Sequence, residues 1–341
     1  MRSKYWIGIV VLCLFFLFFL FFLLLVPKTM KSEYRVVDIN KGSSVYHISK
    51  RLKKQGVIRS STVFYYYVRF FAKDKHLRAG SFRLSSSQSL VRIVELLQED
   101  SGVAALVKVG IPEGYSIRDI AQVLDKKGMF ELEAFYQYAS VQAKDIFVAE
   151  FPFLKDIPVN TLEGYLFPDT YFFAKGDSME VVIRTMLREF ERNIVKTWQE
   201  AEVVKGMPKA RFDFHRVLTI ASLIEKEAAV GSEMPLISSV FYNRLKKRMP
   251  LASDPTVVYA LGKSYKKRVY YKDLKIDSPY NTYKYSGFPP SAIASPGLAA
   301  FKASLAPVSS PYLFFVATTG GAHYFSKTYV EHLAVQRKKQ K

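Results

Sequence analysis

The stretch "WIGIVVLCLFFLFFLFFLLLV", Trp6 to Val26, constrains this chain more than any other part of it. It carries no charge, and as one helix it would reach about 30 Å, the thickness of a bilayer's hydrocarbon core. A cleaved signal peptide has a shorter apolar core and a small-residue cleavage site. Here Pro27, Lys28, Thr29 and Met30 follow instead. A buried helix of a soluble domain is the alternative, and the length and purity of the run weigh against it. The pattern predicts a single-pass anchor over 6–26 after a short cytoplasmic tail, 1–5. Arg2 and Lys4 before the run are balanced by Lys28, Lys31 and Arg35 after it, so the positive-inside rule does not orient it. The expected location is the inner (cytoplasmic) membrane, with lipid contact through the anchor. Residues after about 27 then lie on the periplasmic or extracytoplasmic side.

The rest of the 341 residues can hold about two domains. With 49% hydrophobic and 15% aromatic residues, the chain can bury a core and does not read as disordered. A net charge of +20 suits a polyanion or an anionic surface: nucleic acid, phospholipid or an acidic wall polymer. The basic residues are scattered, with short clusters only at "KKRV" (266–269) and in the "RKKQK" tail. Zinc-finger cysteines and RNP aromatics are missing, so no nucleic-acid partner is expected. Cys13, the sole cysteine, lies inside the apolar run, which leaves no disulfide for the remainder.

Three segments follow with one plan: "VVDINKGSSVYHISKRLKKQGVI" (36–58), "GSFRLSSSQSLVRIVELLQEDSG" (80–102) and "VKVGIPEGYSIRDIAQVLDKKGMF" (107–130). Each starts with a short β-type run, passes a Gly/Ser turn and enters a helix with one apolar face. Those faces are Ile48 and Leu52; Leu90, Ile93, Val94 and Leu97; and Ile117, Ile120, Ala121 and Leu124. Ser43, Ser89 and Ser116 stand where caps are expected. The pattern "G-x-S-x-x-x-I-x-x-x-L" resembles LysM-type carbohydrate-binding modules; a generic spacer is the alternative. Residues 131–160 read as a connecting helical segment. "TLEGYLFPDTYFF" (161–173) reads as a strand–turn–strand wall of a cleft, and helices are expected at 179–200, 214–229 and 234–249. Ser253 and Asp254 before Pro255 form a cap-like start for a short helix. "SPYNTYKYSGFPPSAIASPG" is a long loop of the kind that carries function. An apolar strand, a Gly-Gly turn and a second strand follow it.

The stretch "TIASLIEKEAAVGSEMP" holds two glutamates, Glu225 and Glu227. At 100° per residue, Val217, Ile220, Ala221, Ile224 and Ala228 define an apolar face, with Lys226 pointing away. The glutamates fall on opposite edges of that face, about 200° apart, so one cleft cannot use both alike. Glu225 lies over Ala221 and Ser222, whereas Glu227 lies over Leu223 and Ile224. Apolar surroundings raise a carboxyl pKa, as a general acid requires, which favours Glu227. The alternative is that both are solvated helix-end charges. No H-E-x-x-H helix, metal-spaced histidines, G-x-S-x-G elbow or P-loop appears, so no metal or cofactor is expected.

Taken in order, "LEGYLFPDTY", "ASLIEKEA", "VFYNRL", "SDPTVVYALG", "YNTY…GFPPSAIASPG" and "PYLFFVA…GGAHYFS" resemble the endolytic murein transglycosylases of the MltG/YceG-like family. The resemblance implies a peptidoglycan lytic transglycosylase, a lyase that leaves a 1,6-anhydro-N-acetylmuramic end. Its substrate would be peptidoglycan glycan strands, with cell-wall synthases as partners. It places the catalytic acid at the second glutamate of E-K-E, Glu227, and leaves Glu225 as a supporting or structural charge. By the same resemblance Glu163, Asn243, Asp254, Tyr280, Asn281, Thr282 and His323 line the cleft, with sugar contact expected of about half of them. The structural alternatives are that Asp254 only caps the helix beginning at Pro255, that Asn243 holds a loop through its amide and that Tyr280 is packing. The implied architecture is α+β: an N-terminal single transmembrane helix, small LysM-like α+β modules over 33–130, and a C-terminal α+β catalytic domain over 161–335 with a basic tail, 336–341. A non-catalytic peptidoglycan-binding scaffold is the competing function.

Overall fold

A computed structural model describes residues 34–72, 77–98, 107–155, 157–203, 213–262, 269–318 and 320–339. The expected anchor over 6–26 lies outside these residues. Among the described residues, no helix is long and apolar enough to cross a membrane. The longest, 14 residues from Phe214 to Glu227, reaches only about 21 Å and ends in two glutamates. The single-pass part of the expected fold class, and the inner-membrane location that followed from it, are corrected accordingly: the described architecture is mixed α+β. It divides into two units, one of residues up to Lys108 with 172–176, the other of 109–171 with 177–341.

The first unit runs β1 (Tyr34–Ile39), α1 (Val45–Lys54), α2 (Ser61–Phe71), β2 (Gly80–Ser85) and α3 (Leu90–Gln98). β1 pairs antiparallel with β2, Tyr34 opposite Ser85 and Ile39 opposite Gly80. Alternation puts Val37 and Ile39 of β1, and Phe82 and Leu84 of β2, into one core. Ile48 and Leu52 of α1, Phe64 and Val68 of α2, and Ile93, Val94 and Leu97 of α3 complete it. The cap of α1 is Ser44, which accepts the His47 N–H, one residue after the expected Ser43. α2, whose run of aromatic and β-branched residues carries little local helix signal, starts at the capping hydroxyl of Ser60.

β3 (Val107–Gly110) leads into the second unit. There α4 (Ile117–Lys126) opens with a full capping box between Ser116 and Asp119. The predicted first region extends to residue 130, whereas this division places α4 with the second unit. The connecting segment is α5 (Leu132–Gln137), a π-turn (Tyr138–Gln142) and α6 (Ala143–Phe147). Of the wall expected over 161–173, only β4 (Thr170–Phe173) is a strand. The rest is turn, because Gly164 adopts φ +87° and prolines cannot join a ladder. α7 (Met179–Phe190) and α8 (Lys196–Val203) flank a second π-turn, Glu191–Val195.

α9 (Phe214–Glu227) is the central element of this unit: every residue from His215 to Ile224 is buried except Arg216. It packs against α10 (Met234–Lys246), α11 (Asp254–Ala260) and α12 (Leu298–Leu305). Ile220, Leu223 and Ile224 share one cluster with Met234, Ile237, Phe241 and Ala300. β5 (Phe314–Ala317) and β6 (His323–Ser326) form an antiparallel hairpin, and α13 (Tyr329–Lys339) follows.

Gly164 marks how tightly α9 is covered. A β-carbon there would collide with Ala292 and reach 3.7 Å from Leu218, in a left-handed conformation that L-residues resist. Gly164→Ala should lower stability by about 2–5 kcal/mol, read as a shift in denaturant midpoint; an unchanged midpoint would contradict this close approach.

Candidate active site

A buried helix must satisfy its polar side chains, and α9 does so with one stripe of residues. His215 accepts the Tyr165 hydroxyl at Nδ1 (3.1 Å) and donates from Nε2 to the Pro290 carbonyl (3.0 Å), the tautomer that both partners require. Ser222 Oγ accepts the Ile293 N–H at 3.1 Å. Glu225 Oε2 accepts the Gly297 N–H, at the start of α12, at 3.0 Å. These residues lie at helical spacing, so together they lace the proline-rich loop onto one side of α9. Burial raises the Glu225 pKa, the Gly297 N–H lowers it, and the charge of Glu113 raises it further. Lys226 points elsewhere and donates to the Gly114 carbonyl at 3.0 Å.

Glu227 leaves α9 on another side. Its Oε1 accepts the Ser253 hydroxyl at 2.6 Å. Burial of the carboxyl pushes its pKa up to about 7; Ser253 and the charge of Arg244 pull it down, while Asp254 pushes it up. Among the described residues no second hydrogen bond reaches this carboxyl, which leaves Oε2 open. Ser253 is the N-cap of α11, yet its side chain makes no capping bond, because its hydroxyl is turned to Glu227. The loop holds it there. Ser253 N–H donates to Thr282 Oγ1 (3.0 Å), Ala252 N–H to the Thr282 carbonyl (3.0 Å), and Thr256 and Thr282 hydroxyls meet at 2.9 Å. Ala252 and Arg248 both have positive φ, 46° and 56°, the conformation that strained functional turns adopt.

The other expected cleft residues fall into distinct settings. Asp254 is exposed beside Glu227 and accepts the Tyr283 hydroxyl at 2.6 Å. Thr282 clamps Ser253, as above. Asn281 is fully buried and donates to the carbonyls of Leu274 and Ile276. Asn243 donates to the carbonyls of Ser310 and Tyr312 (2.8 and 2.9 Å). His323 donates its N–H to Glu233 and meets the same carboxylate through Nδ1 at 2.8 Å. Burial opposes it, but those His323 bonds hold the Glu233 pKa below the usual range. Glu163, only 2% exposed, receives the Ile117 N–H at the start of α4 (3.1 Å) and the Tyr259 hydroxyl (3.2 Å). Burial pushes its pKa up to about 8, against those two donors. Tyr280 packs on Tyr259 with ring centroids 4.8 Å apart.

The structure thus gathers Asp254 and Thr282 around Glu227, and Tyr280 around Glu163. Sequence reasoning did not single out Ser253, Arg244, Tyr259, Tyr283 or Glu233 as site residues. All five lie inside the quoted stretches, and Ser253, Arg244 and Tyr283 stand directly beside residues that were named. Arg244 keeps its charge near Glu227 while its fork is committed to the carbonyls of Leu313 and Leu251, both at 2.6 Å.

A family model described as the YceG-like family matches residues 37–338. A Bacillus subtilis (strain 168) protein named endolytic murein transglycosylase is 39% identical over 331 residues, spanning 92% of this chain and 88% of that protein. A Streptococcus pneumoniae (strain D39) protein of the same name is 33% identical over 324 residues, spanning 88% of this chain and 57% of that protein. A crystal structure of a protein designated YceG-like, from Listeria monocytogenes, aligns with a TM-score of 0.60 at 38% identity, covering 89% of this chain and 100% of that one.

The raised carboxyls set a pH dependence of stability. In the folded state Glu163 holds its proton up to about pH 8, whereas unfolded it releases it near 4.5. The folded state therefore binds the extra proton in this window, and stability falls as pH rises through it, by on the order of a few kcal/mol. Glu163→Gln should flatten the stability curve between those limits by about one proton; an unchanged slope would mean that Glu163 is ionised when buried.

Proposed function

Because the chain belongs to the YceG-like family, we propose that it is an endolytic murein transglycosylase. It cuts the bond between N-acetylmuramic acid and N-acetylglucosamine inside nascent peptidoglycan strands, leaves a 1,6-anhydro-N-acetylmuramic end and so terminates strand elongation. In reaction class it is a carbon–oxygen lyase acting on a polysaccharide. The chemistry belongs to the second unit; the first supplies LysM-like affinity for glycan. Cell-wall synthases, which make the strands, are its partner class.

The observation that carries this proposal is the Glu227 carboxyl: pKa raised to about 7, one oxygen fixed by Ser253, the other open. A group poised near neutrality serves both as acid and as base. Protonated Glu227 gives its proton to the glycosidic oxygen as the C1–O bond breaks. The carboxylate then takes the proton of the C6 hydroxyl of the same sugar, and O6 bonds to C1. Glu227 ends protonated, ready for the next cut. Because O6 is tethered to the ring it attacks, its effective concentration is high and no activated water is required. The Ser253 donor favours the ionised form between the two transfers. A hydrolase normally sets a second carboxylate across the bond to act on water or on C1. Glu225 cannot take that part, since its carboxylate is bonded to Gly297 on another side of α9.

Digestion of purified glycan strands, followed by mass spectrometry, tests this. The unmodified chain should produce anhydro ends, and Glu227→Gln should lower turnover by about 10³-fold or more. Glu225→Gln should retain the chemistry while costing roughly 1 kcal/mol of stability. Reducing ends in place of anhydro ends would sink the assignment, and full activity in Glu227→Gln would sink the residue. Turnover should also decline as pH rises above about 7, where Glu227 loses the proton it must donate.

A further inference from the structure

The hydrogen bonds around Ser253 assign every hydroxyl proton there. Thr256 Oγ1 donates to the Ser253 carbonyl at 2.6 Å, and a carbonyl only accepts. Thr256 has no second proton, so at its 2.9 Å contact with Thr282 the Thr282 hydroxyl is the donor. Thr282 Oγ1 in turn accepts the Ser253 N–H at 3.0 Å. The three bonds close a ring that begins and ends on the backbone of Ser253: its N–H to Thr282, Thr282 to Thr256, Thr256 to its C=O. Ser253, Thr256 and Thr282 are 2%, 0% and 1% exposed. Reversing any member would leave a buried proton unpaired.

The ring also stands in for the missing cap. At an ordinary helix start the N-cap hydroxyl accepts an N–H two or three residues on. Here the Thr256 N–H goes to the Ser253 carbonyl, at 3.1 Å, and the Thr256 hydroxyl reinforces that contact. The Ser253 hydroxyl is thereby released from α11 and donates to Glu227 Oε1 at 2.6 Å. Thr282 is fixed in its turn, since its carbonyl accepts the Ala252 N–H at 3.0 Å.

That geometry decides which oxygen of Glu227 carries the acid's proton. Among the described residues, Glu227 is the one acceptor bonded to the Ser253 hydroxyl. A proton on Oε1 would turn Ser253 into an acceptor and strand its own proton in a buried place. With Ser253 donating to Oε1, the proton of neutral Glu227 sits on Oε2.

We propose that Thr256 and Thr282 are positioning residues that act through Ser253, and that their hydroxyl ring holds the proton of Glu227 on Oε2, so that one oxygen both gives and takes the proton. The reaction it serves rests on the transglycosylase reading. Oε2 gives its proton to the glycosidic oxygen as the C1–O bond breaks. The C6 hydroxyl then returns a proton to Oε2 as O6 bonds to C1. Ser253 stays a donor to Oε1 through both transfers, and Glu227 ends as it began.

Steady-state cleavage of glycan strands by the full chain tests this. Thr256→Val keeps the buried shape and removes the hydroxyl; it should lower kcat about tenfold and leave KM within about twofold. Thr256→Ser keeps the hydroxyl and should recover most of that loss. Ser253→Ala should lower kcat by at least about tenfold, and adding Thr256→Val to it should lower kcat by less than about twofold more, because the ring then has nothing to position. The pH above which turnover declines should rise in Ser253→Ala and in Thr256→Val, since a donor to the carboxylate is lost or loosened. A helix-capping role alone gives another pattern: the kinetic loss from Thr256→Val is the same with and without the Ser253 hydroxyl. That pattern, a change in KM with kcat unchanged, or full activity in Thr256→Val overturns the proposal. If Thr256→Val does not fold, Thr282→Val breaks the same ring from its other side and is held to the same outcomes.

The Glu227 carboxyl is also titrated by ¹³C NMR of the glutamate-labelled chain, its signal assigned by its loss in Glu227→Gln. Its midpoint should rise in Ser253→Ala and in Thr256→Val whether or not strands are cut. A midpoint that both variants leave in place overturns the ring. Reducing ends, or no cleavage at all, with the midpoint moved as expected removes the transglycosylase reading and leaves the ring. Cleavage that depends on Glu227, with Thr256→Val at full rate, removes the ring alone.

Discussion

The burial of α9 on nearly all sides is what the rest of the second unit depends on. Such a helix is unusual in a small domain, since an amphipathic helix needs cover on one face only. Here α10, α11 and α12 pack on it and the proline-rich loop closes the remaining side. Every polar side chain on it therefore needs a named partner. Thr219 and Ser222 satisfy their hydroxyl protons on the helix's own carbonyls, at 2.8 and 2.7 Å. His215, Ser222 and Glu225 take the loop. Glu227 alone faces a hydroxyl held by another helix and keeps an oxygen to spare.

Three glutamates in this unit, Glu163, Glu225 and Glu227, lie next to helix starts, and their settings differ in a way that separates their roles. Glu163 and Glu225 each accept a backbone N–H, from Ile117 and Gly297, and both serve to fix one segment on another. Glu227 accepts a side-chain hydroxyl instead. A hydroxyl donor is a weaker anchor than the fixed amide of a helix start, and it leaves the carboxyl free to change protonation state at modest cost. The positive φ of Ala252, immediately before Ser253, belongs to the same arrangement. It turns the chain so that Thr282 can grip the Ser253 N–H while the hydroxyl looks at Glu227.

Much of this was legible locally. The helical periodicity of 214–229 and 234–249 holds to within a turn, because apolar spacing reports which residues face inward. The wheel separated Glu225 from Glu227, and the two carboxyls do leave α9 on different sides. What local pattern could not show is the cover over the polar side of α9. The partner of Ser222 is 71 residues away, and that of His323 is 90 residues away. Ser253 illustrates the limit. Its place before Pro255 marks a helix start correctly, but the tertiary partner takes the hydroxyl that the local rule assigns to capping. The wall expected over 161–173 is a strand only at its end, since Gly164 turns the chain at φ +87° where a β-carbon would collide with Ala292, a residue 128 positions away.

The central claim is that Glu227 needs no water because the sugar supplies its own nucleophile. Cleavage of glycan strands in water enriched in ¹⁸O tests it directly. The account predicts strand ends free of ¹⁸O, with both oxygens at the cut derived from the substrate. Incorporation of one ¹⁸O per cut at C1 would contradict it and make the enzyme a hydrolase.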